Sequence, residues 1–383
     1  MKTIREILAQ QKLDTENPFW HNYIRQVTEQ DVQKALQPPH GIYRIEKLAA
    51  LISPAAEAFL EQMAHSSRQL TIQRFGRTVR LYAPLYLSNY CVNSCRYCGF
   101  NQNHNFKKTR LSIEEAEKEA ETIAKAGFTD ILLVSGHDRK YINVPYLKSL
   151  AHRLRRKFSS ISIEIYQLEK AEYQALFDAG IEGVTIYQET YNRNQYNHFH
   201  PAGPKADYER RLEAPEQTAS AGMREIGLGA LLGLGNWQLE TLAMAEHAAC
   251  LMKKYWKSHI SFSFPRLKPA YEVGPDTYQQ LSDRNLTQMI TALRLCFADA
   301  GMVLSTREPA YIRDNLINLG ITRISAGSKT NPGGYSGSRK STCQFEIDDS
   351  RTPAEISRMI KNKGLDVVWK DWDREFTSSS AVE

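Results

Sequence analysis

The stretch SIEEAEKEAETIAKAGFTDILLVSG, residues 112–136, carries the pattern that decides the fold. Its first four residues, Ser112-Ile-Glu-Glu115, form a capping box that predicts the start of an amphipathic helix. The helix is expected to end near Gly127, and the short apolar run DILLV at 130–134 then predicts a buried strand. A helix followed by a short apolar run is one repeat of a parallel α/β sheet.

The same alternation recurs on both sides of this stretch. Further strands are predicted at 78–87, 161–165, 183–187, 225–232, 260–264 and 301–305, with helices between them, the longest at 239–257. We count seven or eight such units between residues 81 and 330, which predicts a (β/α)8 barrel of the TIM type, closed or nearly closed. Residues 1–80 are expected to form a helical extension, and residues 331–383 a C-terminal extension packed on the barrel.

Composition limits the class of protein. Hydrophobic residues make up 42% and charged residues 24% of the 383-residue chain, enough for a sizeable core. A net charge of +6 spread over this length gives no argument for nucleic acid. The longest nearly apolar stretch, 227–235, is too short to cross a bilayer, and Arg5 and Glu6 interrupt any secretory signal. We therefore expect a soluble, cytoplasmic protein with no membrane or nucleic-acid partner.

The cysteines divide into two groups. Cys250, Cys296 and Cys343 are isolated and are expected to be buried apolar residues. The other three crowd into Cys91-Val-Asn-Ser-Cys95-Arg-Tyr-Cys98. Such soft thiolates favour zinc or an iron–sulfur cluster, but structural zinc commonly takes two separated ligand pairs, and here the nearest spare donor is His104. Three thiolates from one loop suit a [4Fe–4S] cluster with one open iron, and an open iron favours a catalytic role of the cluster over a structural one.

Chemistry in such barrels lies at the carboxyl ends of the strands. Arg is the natural bidentate partner of a carboxylate, so Arg211, Arg266 and Arg307 are the expected carboxylate-binding residues. The other polar candidates at predicted strand ends are Ser135, Gly136, His137, Glu164, Gln188, Glu189, Ser305, Thr306 and Glu308.

The loop C-x3-C-x-aromatic-C, with Tyr97 in the aromatic place, resembles the motif of radical S-adenosylmethionine (SAM) enzymes. That resemblance implies that the open iron binds the amino and carboxylate groups of SAM. Reductive cleavage of SAM then yields a 5'-deoxyadenosyl radical, while the protein positions the reactants and excludes side reactions.

A wider set of segments closely resembles the 2-iminoacetate synthases, the tyrosine lyases of bacterial thiamine biosynthesis (the ThiH family). The resemblance extends over essentially the whole chain. It rests on LYLSNYC at 85–91, CRYCGF at 95–100, YQETY at 187–191, IGLGALLGL at 226–234, SFPRL at 263–267, LSTRE at 304–308, SKTNPGGY at 328–335 and WKDWD at 369–373.

The resemblance implies cleavage of the Cα–Cβ bond of L-tyrosine to 2-iminoacetate and p-cresol, supplying the thiazole of thiamine diphosphate. It implies that Tyr97 packs near the adenine of SAM, Glu164 near the ribose and Arg211 on the carboxylate. Ser135, Gly136 and Arg266 are further expected SAM contacts. The side chains expected to line the tyrosine pocket are Gln188, Glu189, Ser305 and Arg307. The implied partners are thiazole synthase and a flavodoxin- or ferredoxin-type reductant.

Other interpretations remain open at this level. A radical SAM enzyme for another substrate, such as a tryptophan lyase, shares these cysteines, and so does a non-enzymatic iron–sulfur protein. The tyrosine lyase of hydrogenase maturation is the sister family, but it carries further C-terminal cysteines, whereas this chain has only Cys343 beyond residue 330. The superfamily often has Gly-Glu after its second strand, and here His137 stands in place of the Glu; its role stays open.

Overall fold

The computed structural model describes residues 2–274, 281–337 and 341–369. Its strands, numbered along the chain, are β1 (Thr78–Ser88), β2 (Asp130–Ser135), β3 (Ser160–Glu164), β4 (Gly183–Glu189), β5 (Glu225–Ala230), β6 (His259–Ser263), β7 (Gly301–Leu304), β8 (Arg323–Ser325) and β9 (Asp366–Val368).

The helices separate these strands and precede them. They are α1 (Ile4–Gln11), α2 (Pro18–Gln26), α3 (Glu29–Ala35), α4 (Ile45–Leu51), α5 (Leu60–Phe75), α6 (Ile113–Lys125), α7 (Val144–Leu154), α8 (Lys170–Asp178), α9 (Arg193–Phe199), α10 (Tyr208–Ser220), α11 (Trp237–Lys254), α12 (Asp283–Cys296), α13 (Ala310–Leu316) and α14 (Pro353–Asn362). Short 3-10 helices span Pro54–Phe59 and Pro204–Ala206.

The first eight strands form a closed parallel barrel. Each pairs with its neighbour in chain order, and β1 closes the ring by pairing with both β2 and β8. Its register sets Ala83 opposite Ile131 and Arg80 opposite Arg323. The predicted (β/α)8 barrel is thus confirmed. The sequence patterns did not identify β8, a strand of three residues that begins with an arginine.

Local sequence explains the elements around β2. The Ser112 hydroxyl accepts a hydrogen bond from the Glu115 amide, and the Glu115 side chain accepts one from the Ser112 amide, so the predicted capping box starts α6. Gly127 follows the end of α6 with φ +97°. All six residues of β2 are buried, because helices cover one face and the barrel interior covers the other.

A layer of charged side chains closes the amino-terminal end of the barrel. Arg323 donates to Asp130 (2.6 Å) and to Glu225 (3.0 Å), and Arg80 donates to Asp130 (3.0 Å). These residues come from the first parts of four different strands. The ion-paired layer thus occupies the amino-terminal end of the barrel interior, and chemistry in such barrels lies at the opposite end, where the strands have their carboxyl ends.

The N-terminal helices pack on the outside of the barrel. The Gln288 side chain on α12 donates to the Leu51 and Ser53 carbonyls (3.0 and 2.8 Å), which fixes the end of α4 against the barrel. Cys250 and Cys296 are buried, as predicted, but Cys343 is exposed, so that prediction was wrong. Cys343 lies on an irregular segment rather than on a core-facing helix or strand.

Residues 341–369 return to the barrel after β8. Asp366 lies opposite Thr78 in the pairing of β9 with β1, and Ile356 and Ile360 of α14 are buried in the main core. Of the motif at 369–373, Trp369 contacts Phe128 edge to face (5.6 Å between ring centroids), and the rest lies outside the described residues. Among the described helices, none combines the length and the apolar character needed to cross a membrane.

Candidate active site

The cysteine loop comes directly after β1 and lies at the carboxyl end of the barrel. Cys91, Cys95 and Cys98 all line one cavity of about 130 Å3, called here the outer cavity. Cys95 is buried, whereas Cys91 and Cys98 are partly exposed. Three thiols grouped by their spacing in the sequence thus surround one space in the fold.

Hydrogen-bond donors point at two of these sulfurs. The Phe100 amide donates to Cys98 Sγ (3.4 Å), and the His137 amide donates to Cys91 Sγ (3.4 Å). The side-chain amide of Asn93 donates to Cys91 Sγ as well (3.5 Å). Donors to sulfur stabilise the negative charge of thiolates and of iron–sulfur clusters.

Two of the thiols have raised pKa values, so they become thiolates only when a metal binds. Burial raises the pKa of Cys95 to about 12 and that of Cys98 to about 11, so metal binding must displace their protons. Within the described ranges, no three His, Cys, Asp or Glu side chains form a group that could hold a single metal ion. Three thiols spread around one cavity suit the larger core of an iron–sulfur cluster.

The turn after β2 approaches the cysteine loop closely. A Cβ on Gly136 would lie 2.2 Å from the Tyr90 carbonyl oxygen and 3.3 Å from Cys91 Cβ, so only glycine fits here. The Ser135 hydroxyl donates to the Gly136 carbonyl (2.8 Å), and both residues line the outer cavity. The structure thus brings Ser135 and Gly136, which the position at a strand end had selected as candidates, beside the cysteines.

His137 contributes its backbone to this turn. Its ring stacks on Tyr166 with 4.8 Å between centroids and an interplanar angle of 14°. Burial, together with Arg211, lowers the pKa of His137 to about 4, so the ring is neutral near pH 7. The backbone amide, which reaches Cys91 Sγ, is the His137 group that contacts a cysteine.

Tyr97 is fixed by a histidine that the sequence patterns did not single out. The Tyr97 hydroxyl donates to His200 Nε2 (2.8 Å), while His200 Nδ1 donates to the Tyr196 carbonyl (2.8 Å). Burial lowers the pKa of His200 to about 3, which keeps the ring neutral and Nε2 available as an acceptor. The Tyr97 ring is held at the wall of the outer cavity.

Charged side chains cluster on the wall formed by β4. Glu189 adopts a left-handed backbone conformation (φ +71°) and accepts a hydrogen bond from Lys205. Arg211 Nε donates to the Tyr187 carbonyl (2.7 Å), and its Nη2 lies 3.9 Å from Glu189 Oε1. Although burial alone would raise it, the two cations lower the pKa of Glu189, so this carboxylate is ionised.

Glu164 at the end of β3 has a different electrostatic environment. It lines the outer cavity and also a smaller cavity of about 50 Å3 inside the barrel, called here the inner cavity. Burial raises the pKa of Glu164 to about 7, although Arg307 opposes the shift. Its charge therefore changes near neutral pH.

Arg307 connects the two cavities, because its side chain lines both. The guanidinium lies over the Phe345 ring at 3.3 Å from the centroid, and Nη1 is 3.5 Å from the Arg266 carbonyl. In the part of the chain that the structure describes, no carboxylate forms an ion pair with it. The other polar residues around the inner cavity are Tyr82, Tyr86, Tyr187, Ser263, Ser305, Thr306, Ser325, Ser328 and Thr330.

Three predicted candidates, Arg266, Glu308 and Gln188, lie apart from both cavities. The Arg266 side chain donates to Glu308 (2.9 and 3.0 Å) and to Asp283 (2.7 Å), so its guanidinium is already paired. Gln188 is buried, and neither of its amide atoms has a hydrogen-bond partner in the described structure. Gln188 lies between Tyr187 and Glu189, which both line the outer cavity. Because successive side chains of a strand point to opposite faces, the Gln188 side chain faces away from this cavity.

The structure also adds residues that sequence patterns did not indicate. Lys205 and His200 reach the outer cavity or its wall from the segment after α9, and Gln344 and Phe345 reach it from the segment before α14. None of the four lies at the end of a predicted strand or in the cysteine motif. Their only sequence signal is their occurrence near a loop, which is too general to select them.

Comparisons with known proteins agree with this arrangement. The family model described as "Radical SAM superfamily" matches residues 85–247, and "Biotin and Thiamin Synthesis associated domain" matches residues 263–366. Two curated proteins named 2-iminoacetate synthase, from Salmonella typhimurium and Escherichia coli, are each 41% identical over 90% of this chain and 91% of their own length.

Solved structures show the same fold. The FeFe-hydrogenase maturase HydG from Carboxydothermus hydrogenoformans superposes with a TM-score of 0.84 at 32% identity, covering 96% of this chain and 86% of that chain. Methylornithine synthase, with a TM-score of 0.72 at 20% identity over 91% of this chain and 99% of that chain, supports the fold alone. On the identity and coverage shared with the two curated synthases, this chain belongs to the 2-iminoacetate synthase family of the radical SAM superfamily.

Proposed function

We propose that this protein is a radical SAM lyase that cleaves the Cα–Cβ bond of L-tyrosine to 2-iminoacetate (dehydroglycine) and p-cresol. The observation that carries the proposal is the guanidinium of Arg307, which lines both cavities and has no carboxylate within ion-pair distance among the described residues. A cation in this environment suits the carboxylate of an amino-acid substrate. The names of the two curated relatives support the same reaction.

Radical SAM proteins use SAM and an iron–sulfur cluster, and the donor set here suits both. We assign the cluster as [4Fe–4S] held by Cys91, Cys95 and Cys98, since three thiolates leave one iron free for SAM. When bound, the two cofactors supply a 5'-deoxyadenosyl radical that removes a hydrogen atom from the substrate. The electron for this step is proposed to come from a flavodoxin- or ferredoxin-type protein.

The outer cavity is the proposed SAM site. Arg211, held by the Tyr187 carbonyl, is assigned to the carboxylate of SAM. Glu164 is assigned to the ribose hydroxyls, and Tyr97, fixed by His200, to the adenine. Ser135 and Gly136 offer backbone groups beside the cysteine loop.

The inner cavity and its rim are the proposed tyrosine site. Arg307 is assigned to the substrate carboxylate, and Ser305 lines the same cavity. The ionised Glu189 is assigned to the substrate amino group, where it accepts a hydrogen bond. Gln188 and Arg266 lie outside the cavities and are assigned no substrate contact in this proposal; Arg266 pairs with Glu308 in the segment that carries Arg307.

In addition to the electron that cleaves SAM, the proposed reaction consumes one more electron. Loss of a hydrogen atom from the tyrosine amino group allows the Cα–Cβ bond to break, leaving 2-iminoacetate and a 4-hydroxybenzyl radical. This radical becomes p-cresol on gaining one proton and a second electron, which is proposed to come from the same flavodoxin- or ferredoxin-type reductant. Since the imine product hydrolyses in water, the site must keep water away from it until it is released.

The chemistry of the product motivates a partner. An imine that hydrolyses in water is best passed directly to the next enzyme, so we propose a complex with thiazole synthase that supplies the thiazole of thiamine diphosphate. Six cysteines without disulfides are in keeping with a reducing compartment, and we propose the cytoplasm.

The test is an anaerobic incubation of the reconstituted protein with SAM, a strong reductant and L-tyrosine. We expect p-cresol, 5'-deoxyadenosine and methionine in equal amounts, together with about four irons per chain and broad visible absorption. L-Tryptophan replaces tyrosine in the matched control. 5'-Deoxyadenosine formed with tryptophan but not tyrosine would overturn the substrate assignment, and a colourless zinc protein would overturn the reaction class.

A further inference from the structure

The segment 341–349, called here the strap, crosses the carboxyl end of the barrel. The Gln344 amide donates to the Thr330 carbonyl (2.9 Å), which fixes the start of the strap beyond β8. The Asp348 and Asp349 amides donate to the Thr306 carbonyl (3.1 and 3.2 Å), which fixes its end beyond β7. At the first anchor and directly after it, the side chains of Gln344 and Phe345 reach the outer cavity, and neither residue belongs to the motifs described above.

Gln344 connects the strap to the cysteine loop. Its carbonyl accepts a hydrogen bond from the Gly99 amide (3.3 Å), and a Cβ on Gly99 would lie only 2.8 Å from that oxygen. The Tyr86 hydroxyl donates to Gln344 Oε1 (2.7 Å), which leaves Nε2 directed at Cys98 Sγ at 4.0 Å. A sulfur that ligates iron can only accept, so the side-chain amide is oriented to donate.

Phe345 connects the strap to the substrate arginine. Its ring lies under the Arg307 guanidinium at 3.3 Å and lines both cavities. With the flat face of the guanidinium on the ring, the N–H groups on its edge remain available to a carboxylate. The ring thus takes the orienting role that an acidic partner plays for Arg266.

We propose that Gln344 and Phe345 are positioning residues of the active site. Gln344 donates to the cluster ligand Cys98 and thereby sets the reduction potential, and Phe345 holds Arg307 in the orientation that binds the substrate carboxylate. The inference deepens the proposed function and rests on it for the identity of the substrate. The part that concerns the cluster is independent of which amino acid is cleaved.

The Gln344 part is tested by redox titration of the reconstituted protein without SAM or tyrosine. Loss of a donor to sulfur destabilises the more negative reduced cluster, so Gln344→Leu should lower the potential and Gln344→Glu should lower it further. Cys343→Ser, the exposed neighbour, is the control and should match the wild type. Equal potentials in all four proteins at equal iron content would overturn this part.

The Phe345 part is tested with tyrosine. Phe345→Leu keeps apolar volume but removes the ring, so KM for tyrosine should rise about three- to thirtyfold while iron content stays unchanged. Phe345→Tyr keeps the ring and should restore a KM near that of the wild type. Glu346→Ala, at an exposed strap position, is the control. A Phe345→Leu enzyme with the wild-type KM would overturn the assignment.

The two tests separate this inference from the proposed function. If the wild-type protein makes no p-cresol, the lyase assignment is wrong. The order of reduction potentials among the Gln344 variants is measured without tyrosine and is therefore independent of that result. Should Phe345→Leu fail to fold, Phe345→Trp retains a ring face, and calorimetric binding of tyrosine then gives the result: wild-type affinity supports the positioning role, and affinity equal to that of Arg307→Ala contradicts it.

Discussion

Arg266 and Arg307 follow neighbouring strands, yet their surroundings assign them different tasks. Arg266 donates to Glu308, which is fully buried, whereas Arg307 lies on an aromatic ring beside the cavities. Sequence order alone made both of them candidates for a substrate carboxylate. What separates them is the carboxylate already present beside one guanidinium.

This difference gives a paired prediction. Arg307→Lys should raise KM for tyrosine at least roughly tenfold, because an ammonium cannot bind a carboxylate in the bidentate geometry of a guanidinium. Arg266→Gln should instead lower the free energy of unfolding by about 3–5 kcal/mol, because Glu308 is left as an unpaired buried charge. Steady-state kinetics and denaturant titration of both variants measure the two effects. Similar KM values for the two variants would contradict the division of roles.

Cys95 is the most buried cysteine of the loop, and its removal leaves the proposed cluster with two of its three thiolate ligands. Cys95→Ala should therefore lose the cluster and all formation of p-cresol. Iron analysis and visible absorption after anaerobic reconstitution measure the loss. Cys343→Ser removes an exposed thiol and should keep both cluster and activity. Turnover by Cys95→Ala would count against the three-cysteine cluster.

At the scale of elements, α11 is connected to the end of β4 by Glu240. Its carboxylate accepts hydrogen bonds from the Thr190 hydroxyl and the Tyr191 amide (2.8 Å), directly after the left-handed Glu189. Burial raises the pKa of Glu240 to about 7, against the two hydrogen bonds, which lower it. The protonated form is therefore favoured in the folded state more than in the unfolded chain.

The sign of the pH dependence follows from this shift. A carboxyl group with a raised pKa contributes stability that is present below its unfolded value of 4.5 and is lost as pH rises through about 7. Between pH 5 and 8, the wild type should lose on the order of 3 kcal/mol relative to Glu240→Gln, which cannot titrate. Urea titrations at several pH values measure the difference. Glu61→Gln, on the exposed side of α5, should follow the wild type, and a Glu240→Gln slope like that of the wild type would refute the assignment.

Elements differed in how well the sequence predicted them. The capping box of α6 and the apolar run of β2 are local signals, and both appear where they were expected. β8 escaped notice because three residues headed by Arg323 contain no apolar run; a salt bridge to Asp130 keeps that arginine in the barrel. The long helix predicted at 239–257 is Trp237–Lys254, with Asn236 as its cap.

Site residues divide along the same line. Ser135, Gly136, Glu164 and Arg307 could be selected because parallel strands deliver their carboxyl ends to one face. Lys205, His200, Gln344 and Phe345 could not, because they reach that face from loops whose paths depend on tertiary packing. Arg266 shows a different limit of sequence analysis. It follows a barrel strand as predicted, but the sequence could not show that its guanidinium is already paired with carboxylates.

At the scale of the whole molecule, the contacts between the C-terminal extension and the barrel include a buried ion pair. Asp349 lies in the strap and pairs with Arg313 of α13, and both side chains are almost fully buried. Arg351 donates to the same carboxylate (2.9 and 2.7 Å). We therefore expect the barrel and residues 341–369 to unfold together, although the sequence suggested a boundary near residue 330.

Two adjacent aspartates test this expectation. Asp349→Asn leaves Arg313 buried without its carboxylate, so the free energy of unfolding should fall by about 3–5 kcal/mol in a single transition. Asp348→Asn removes the exposed partner of Lys268 (2.5 Å) and should cost at most about 1 kcal/mol. Denaturant unfolding followed by tryptophan fluorescence and far-UV circular dichroism measures both variants. An Asp349→Asn protein whose barrel unfolds at the wild-type midpoint, with a separate early transition, would show that the extension is an independent unit.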